Sequence, residues 1–142
     1  MSEEVVKKEE ILETINGAIN YLERISNKKD FILKPIEEEN YERAFQEFEN
    51  MIDGIDVLNQ LLVSLQSIGK LNLSELEYKD KSIEKYINEF NSYMSEELIE
   101  SMKNEDYQLV YDLLKYEFDE KISSYKEIFI FLAEYFEENM EQ

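Results

Sequence analysis

The apolar positions of the chain fall into four stripes with helical spacing. Ile11, Ile15, Ala18, Leu22 and Ile25 advance by four, three, four and three residues. Ala44, Phe48, Met51, Ile55, Leu58, Leu62 and Leu65 keep the same step, with Tyr41, Phe45 and Ile52 widening the stripe. A third set runs Ile83, Ile87, Phe90, Met94, Leu98 and Met102, and a fourth from Tyr107 through Tyr111, Leu114, Phe118, Ile122, Tyr125, Phe129 and Leu132 to Phe136. Strand alternation accounts for none of these, because residues four and three apart share a helix face and a strand repeats every two. The pattern predicts four helices, roughly 3–27, 36–68, 80–103 and 105–139. The short connection after residue 103 turns the third helix back onto the fourth. The fold expected is therefore all-α, an antiparallel up-down-up-down four-helix bundle forming one domain over 1–142.

The breaks between stripes are expected to carry the usual punctuation. Pro35 can open the second helix, with Glu37, Glu38 and Glu39 near the positive end of its dipole. Gly69 reads as a C-terminal stop. Ser74 and Glu77 have capping-box spacing, Asp80 can cap the third helix, and Asn104 marks the reversal into the fourth. Gly17 and Gly54 sit in helix interiors, where glycine costs about 1 kcal/mol relative to alanine. They lie nearly equidistant from Pro35, so an antiparallel first hairpin brings them to one level for close backbone approach; a local bend or plain tolerance of glycine are the other readings.

Charge narrows the function. With 34 acidic and 15 basic residues and no histidine, the formal net charge is −19. Phosphate backbones and anionic membranes demand local positive charge, and the longest basic runs are the pairs Lys7-Lys8 and Lys28-Lys29, so neither nucleic acid nor membrane is an expected partner. The opening "MSEEVVKKEE" lacks the basic and apolar regions of a signal peptide, and no apolar run approaches the ~20 residues that cross a bilayer. A cytoplasmic location follows as the expectation.

Candidate chemistry is sparse. Without histidine or cysteine there is no nucleophile-base pair of the Ser-His or Cys-His kind, no Glu-x-x-His di-iron motif and no zinc set. The three glycines are isolated, so no loop cradles phosphate. The remaining catalytic option is an all-carboxylate magnesium site of the nucleotide pyrophosphohydrolase type, E-E-x-x-E followed by E-x-x-D on the next helix. Glu38, Glu39 and Glu42 match its first half. Asp53 and Asp56 come nearest to the second, yet lie on the same predicted helix, and magnesium needs oxygens that converge. The expectation is no enzyme, no cofactor and no metal.

The segment "DLLKYEF", Asp112 to Phe118, preceded by "NEDYQLV", and the earlier "NYERAFQEF" resemble small acidic all-helical bacterial proteins of unknown function that carry a D-x-L-x-Y-E-F-like stretch. That resemblance implies an accessory or chaperone-like role and brings no catalytic residues.

The stretch "EIFIFLAEYF", Glu127 to Phe136, is the most apolar part of an acidic chain. Phe129, Leu132 and Phe136 continue the core stripe, whereas Ile128, Ile130, Phe131 and Tyr135 lie partly or wholly off it. A fourth helix of ~34 residues would run ~50 Å and overhang its neighbours. Either the 69–80 connection covers the excess with Leu71, Leu73, Leu76 and Tyr78, or another chain does. Ile130, Phe131 and Tyr135 are the candidate partner-contact residues. The function expected is a non-catalytic protein–protein interaction module, accessory, chaperone-like or adaptor, binding another protein or itself as a homodimer through helix four. The alternative is an acidic inhibitor or immunity-type protein that blocks a basic partner by imitating nucleic-acid charge.

Overall fold

The computed structural model describes residues 8–140. Its elements are α1 (Lys8–Lys28), α2 (Asp30–Glu37), α3 (Tyr41–Gly69), a two-stranded hairpin of β1 (Glu77–Tyr78) and β2 (Lys81–Ser82), α4 (Ile83–Ser92), a π-helical segment (Tyr93–Ile99), α5 (Glu100–Lys103), α6 (Tyr107–Tyr116) and α7 (Phe118–Asn139). Among the described residues the fold is all-α apart from that hairpin. Residues 3–7 of the expected first helix lie outside the described residues.

Three expected boundaries are corrected. Pro35 does not open a helix; it sits in the last turn of α2. Its carbonyl accepts from Asn40 N–H (2.7 Å) and the Ile36 carbonyl from Glu39 N–H, with Glu39 at φ 59°. This is a Schellman closure, after which Asn40 Oδ1 accepts from Arg43 N–H and caps α3. Asp80 does not cap α4. It is paired with Lys79 at positive φ in the tight turn between β1 and β2, as a type I′ hairpin requires, and Ser82 Oγ caps α4 by accepting from Lys85 N–H. Ser74 makes no capping box either, since its N–H and hydroxyl both donate to Asn72 Oδ1.

The expected fourth helix is broken in two at Glu117. The Leu113 carbonyl there accepts from Glu117 N–H at 3.2 Å and from the buried Tyr93 hydroxyl at 2.8 Å. A side chain entering the helical ladder in this way is a recognised cause of kinks. With α7 only 22 residues long, the single ~50 Å rod does not form. The π-helical segment has a related cause. Phe90, Met94, Leu98 and Met102 are all buried at steps of four, which overshoot a 3.6-residue turn; a wider turn takes up the drift.

Pairings across the core give the helix directions. Lys8 meets Glu137, Glu23 meets Lys126 and Lys29 meets Asp119, so α1 and α7 run antiparallel. Asn59 meets both Asn91 of α4 and Tyr125 of α7, while Gly69 lies against Phe136, so α3 runs parallel to α7. The four stripes converge on one cluster of buried side chains that includes Leu22, Leu62, Leu98 and Phe129. At its centre Tyr125 stacks on Phe90 at 3.9 Å, edge-on to Phe129. Its hydroxyl donates to Asn59 Oδ1, and Asn59 Nδ2 donates to Asn91 Oδ1. This polar chain ties three helices at one level and fixes their register.

Candidate functional site

The expected contact residues on α7 differ in setting. Ile130 is exposed, at 38%. Phe131 is half-buried, its ring 5.7 Å from that of Tyr78, and Tyr135 is half-buried with its ring edge-on to Phe136. The 69–80 connection therefore reaches Phe131 through Tyr78, while Leu73 is buried in the main core and Leu71 lies close to Gly69 beside Phe136. Ile128, expected off the core stripe, is fully buried.

The carboxylates of the pyrophosphohydrolase-like pattern are spread along the chain. Glu38 and Glu39 form the turn after α2, Glu42 lies in the first turn of α3, and Asp53 and Asp56 follow along that helix. Among the described residues no group of three or more histidine, cysteine, aspartate or glutamate side chains gathers as a metal site. A polar cleft of about 580 Å³ between α4 and α7 holds Lys81, Lys85 and Lys121. Lys81 is already committed there, 2.6 Å from Glu89 Oε1, and its hydrogen bond holds that carboxyl below the usual range.

A larger apolar groove of about 640 Å³ runs between α1 and α3. One wall is Thr14, Gly17, Ala18, Tyr21 and Arg24; the other is Gly54, Val57, Leu58, Gln60, Leu61 and Ser64. On α3 the residues Gly54, Val57, Leu61, Ser64 and Ile68 step by three and four, a second stripe beside the core one. Val57 is 61% exposed and Ile68 42%. Helix amphipathicity keeps such a face polar when water is its only neighbour.

The two longest stretches of the chain without a charged residue supply every lining residue of this groove except Arg24 and Gly54. Thr14 to Leu22 carries none over nine positions, and Val57 to Gly69 none over thirteen, in a protein with 35% charged residues. Reading stripes of apolar residues missed this surface; scanning for missing charge would have found it. The groove's two glycines part company. A Cβ on Gly54 would collide with the Tyr21 ring, whose hydroxyl lies across it, and burial there raises the Tyr21 pKa above its usual value. A Cβ on Gly17 would meet nothing within 4 Å. The expected close backbone approach is thus replaced by a tyrosine laid over one glycine and open space over the other.

Residues 13–128 match the family model described as Domain of unknown function (DUF8042). The chain belongs to the DUF8042 family. The matched span holds the groove-lining residues of both helices, and Ile130, Phe131 and Tyr135 lie beyond it. No curated protein and no solved structure matches the chain. Among the described residues no helix is long and apolar enough to cross a membrane.

Proposed function

We propose that this DUF8042 chain is a non-catalytic protein–protein interaction module of the accessory or adaptor kind, built as a single up-down-up-down four-helix bundle acting in the cytoplasm. The observation that carries the reading is the groove between α1 and α3, lined by residues without charge except Arg24. An amphipathic helix laid in a groove is a standard way to cover such a surface, and the exposed Val57 on its wall offers that helix an apolar contact. Ile130, Phe131 and Tyr135 supply a smaller contact on α7. The test is a photo-crosslinking residue placed at Val57 of the full chain in its native cell. A crosslink to a polypeptide is expected there, absent from the exposed Tyr116 position and weakened by Leu61→Glu. No crosslink at Val57 overturns the reading, as does micromolar magnesium binding with nucleotide turnover.

A second reading, an acidic inhibitor that blocks a basic partner, is supported by the many exposed acids. Few of the 34 take part in the ion pairs of the described residues. Under that reading binding weakens steeply with salt, whereas binding in the groove does not.

A further inference from the structure

Resting on the reading of the groove as a docking face, we infer that its occupant is a second copy of this chain, joined through α1 about a two-fold axis. The groove side of α1 carries Glu10, Thr14, Gly17, Tyr21, Arg24 and Lys28, spaced by four, three, four, three and four. Thr14, Gly17, Tyr21 and Arg24 line the groove itself. Glu10 lies one turn before Thr14, whose hydroxyl donates to its carbonyl, and Lys28 holds its ammonium 5.4 Å from the Tyr21 ring centre. The six form one stripe at heptad spacing along the helix, polar and charged towards its ends and with Gly17 and Tyr21 at its middle.

This stripe is complementary to its own reverse. Turning a second copy antiparallel about a point midway between Gly17 and Tyr21 sets Glu10 opposite Lys28, Thr14 opposite Arg24 and Gly17 opposite Tyr21, each pair occurring twice. An isologous interface needs that kind of match. Glu10 with Lys28 matches charge, Gly17 with Tyr21 matches size, and Thr14 with Arg24 is neutral to the match. Among the described residues, Glu10, Arg24 and Lys28 take no part in an ion pair within the chain. Gly17 supplies an independent sign. It weakens an exposed helix interior, and nothing in its own chain needs the missing Cβ; a tyrosine from a second copy does. The stretch Thr14 to Leu22 fits as well, because two chains of net charge −19 meet most easily where few acids are presented, and there the stripe carries none.

The test is sedimentation of the full chain from about 1 to 100 µM, which brackets a micromolar dissociation constant. A dimer is expected. Gly17→Leu should give a monomer with unchanged helix content. Glu10→Lys and Lys28→Glu should each weaken the dimer by about tenfold or more, equivalent to about 1.4 kcal/mol, and the double variant should restore it. The first of these lowers the net charge, so a general repulsion effect would strengthen the dimer instead. A wild-type monomer at the highest concentration overturns the inference. So does a dimer indifferent to Gly17→Leu, a double variant without rescue, or a dimer broken by Ile130→Glu alone. If the chain is monomeric while Val57 still crosslinks to a different polypeptide, the docking reading stands and the second copy is excluded.

Discussion

Helix α1 has two long neighbours and treats them differently. Against α7 it closes along its length: Ile15, Leu22 and Ile25 are fully buried, Lys8 and Glu23 reach across to Glu137 and Lys126, and Lys29 just past its end reaches Asp119. Against α3 it stays open over a groove of about 640 Å³ whose walls carry glycines, threonine and serine. Side-chain size and charge account for the contrast. Bulky aliphatic side chains backed by opposite charges at the rim can exclude water between two helices. Walls in which Thr14, Gly17, Gly54 and Ser64 interrupt the larger residues, with no ion pair across them among the described residues, leave unfilled the space between helices that the rest of the core holds apart. One flank of the helix builds the fold, and the other is left for a partner.

The sharpest way to break that contrast is truncation on each flank. Phe129 is fully buried and edge-on to Tyr125, so Phe129→Ala should cost about 3–5 kcal/mol. Val57→Ala, at a largely exposed position of the groove, should change stability by no more than about 0.5 kcal/mol. Urea unfolding at a concentration where the protein is monomeric measures both. Comparable losses would mean that the groove wall contributes to folding as much as the core does.

Glycine to alanine is a finer probe, because the same methyl group meets different surroundings. At Gly69 it would lie 2.8 and 2.9 Å from ring atoms of Phe136, which is itself buried and cannot swing away. A loss of about 1–3 kcal/mol is expected from such overpacking. At Gly17 it meets nothing, so the monomer should gain about 0.5–1 kcal/mol from helix propensity alone. Thermal melting of the two variants should move in opposite directions; equal shifts would show that the groove closes in solution.

How much of this could be read from the chain follows from the same physics. The core residues were legible because helical spacing puts them on one face: all five residues of the first stripe and all seven of the second are buried. The helix ends near residues 28, 69, 103 and 139 were legible to within a residue, whereas the stop of α2 at Glu37 and the start of α3 at Tyr41 were not, because the closure between them puts Glu39 at positive φ, where glycine is the usual marker. The break at Glu117 depends on a hydroxyl from residue 93, a tertiary contact with no local trace. The groove was visible only as an absence of charge, since its apolar residues are too few to form a conspicuous stripe.

Alkaline pH tests the closed flank by titration. Burial pushes the Tyr125 and Tyr93 hydroxyls well above their usual pKa, with nearby acids adding to the shift at Tyr93. A folded-state pKa above the unfolded one gives stability that is complete below about pH 10 and lost as pH rises beyond it, because unfolding then releases protons. The thermal midpoint should therefore fall steadily above about pH 10. Tyr125→Phe should remove more of that slope than Tyr21→Phe, since Tyr21 is only half-buried in the groove. The same variant should cost about 1 kcal/mol at neutral pH by leaving Asn59 Oδ1 without its donor. A slope equal in both variants would place the two rings in equivalent surroundings.

Ionic strength gives the smallest effect and sets the two kinds of charge against each other. The pair between Lys29 and Asp119 is short, at 2.6 Å, but Asp119 is 61% exposed, so Lys29→Met should cost no more than about 1 kcal/mol. That loss should shrink as salt screens the pair. The unpaired acids act in the other direction, since screening relieves their mutual repulsion in a chain of net charge −19. They outnumber the pairs, so the wild-type thermal midpoint should rise between about 20 and 300 mM NaCl while the gap to Lys29→Met narrows. A midpoint that falls with salt would mean that the ion pairs along α7 outweigh the surface repulsion. The closed flank of α1 would then owe its closure to charge more than to the aliphatic residues beneath it.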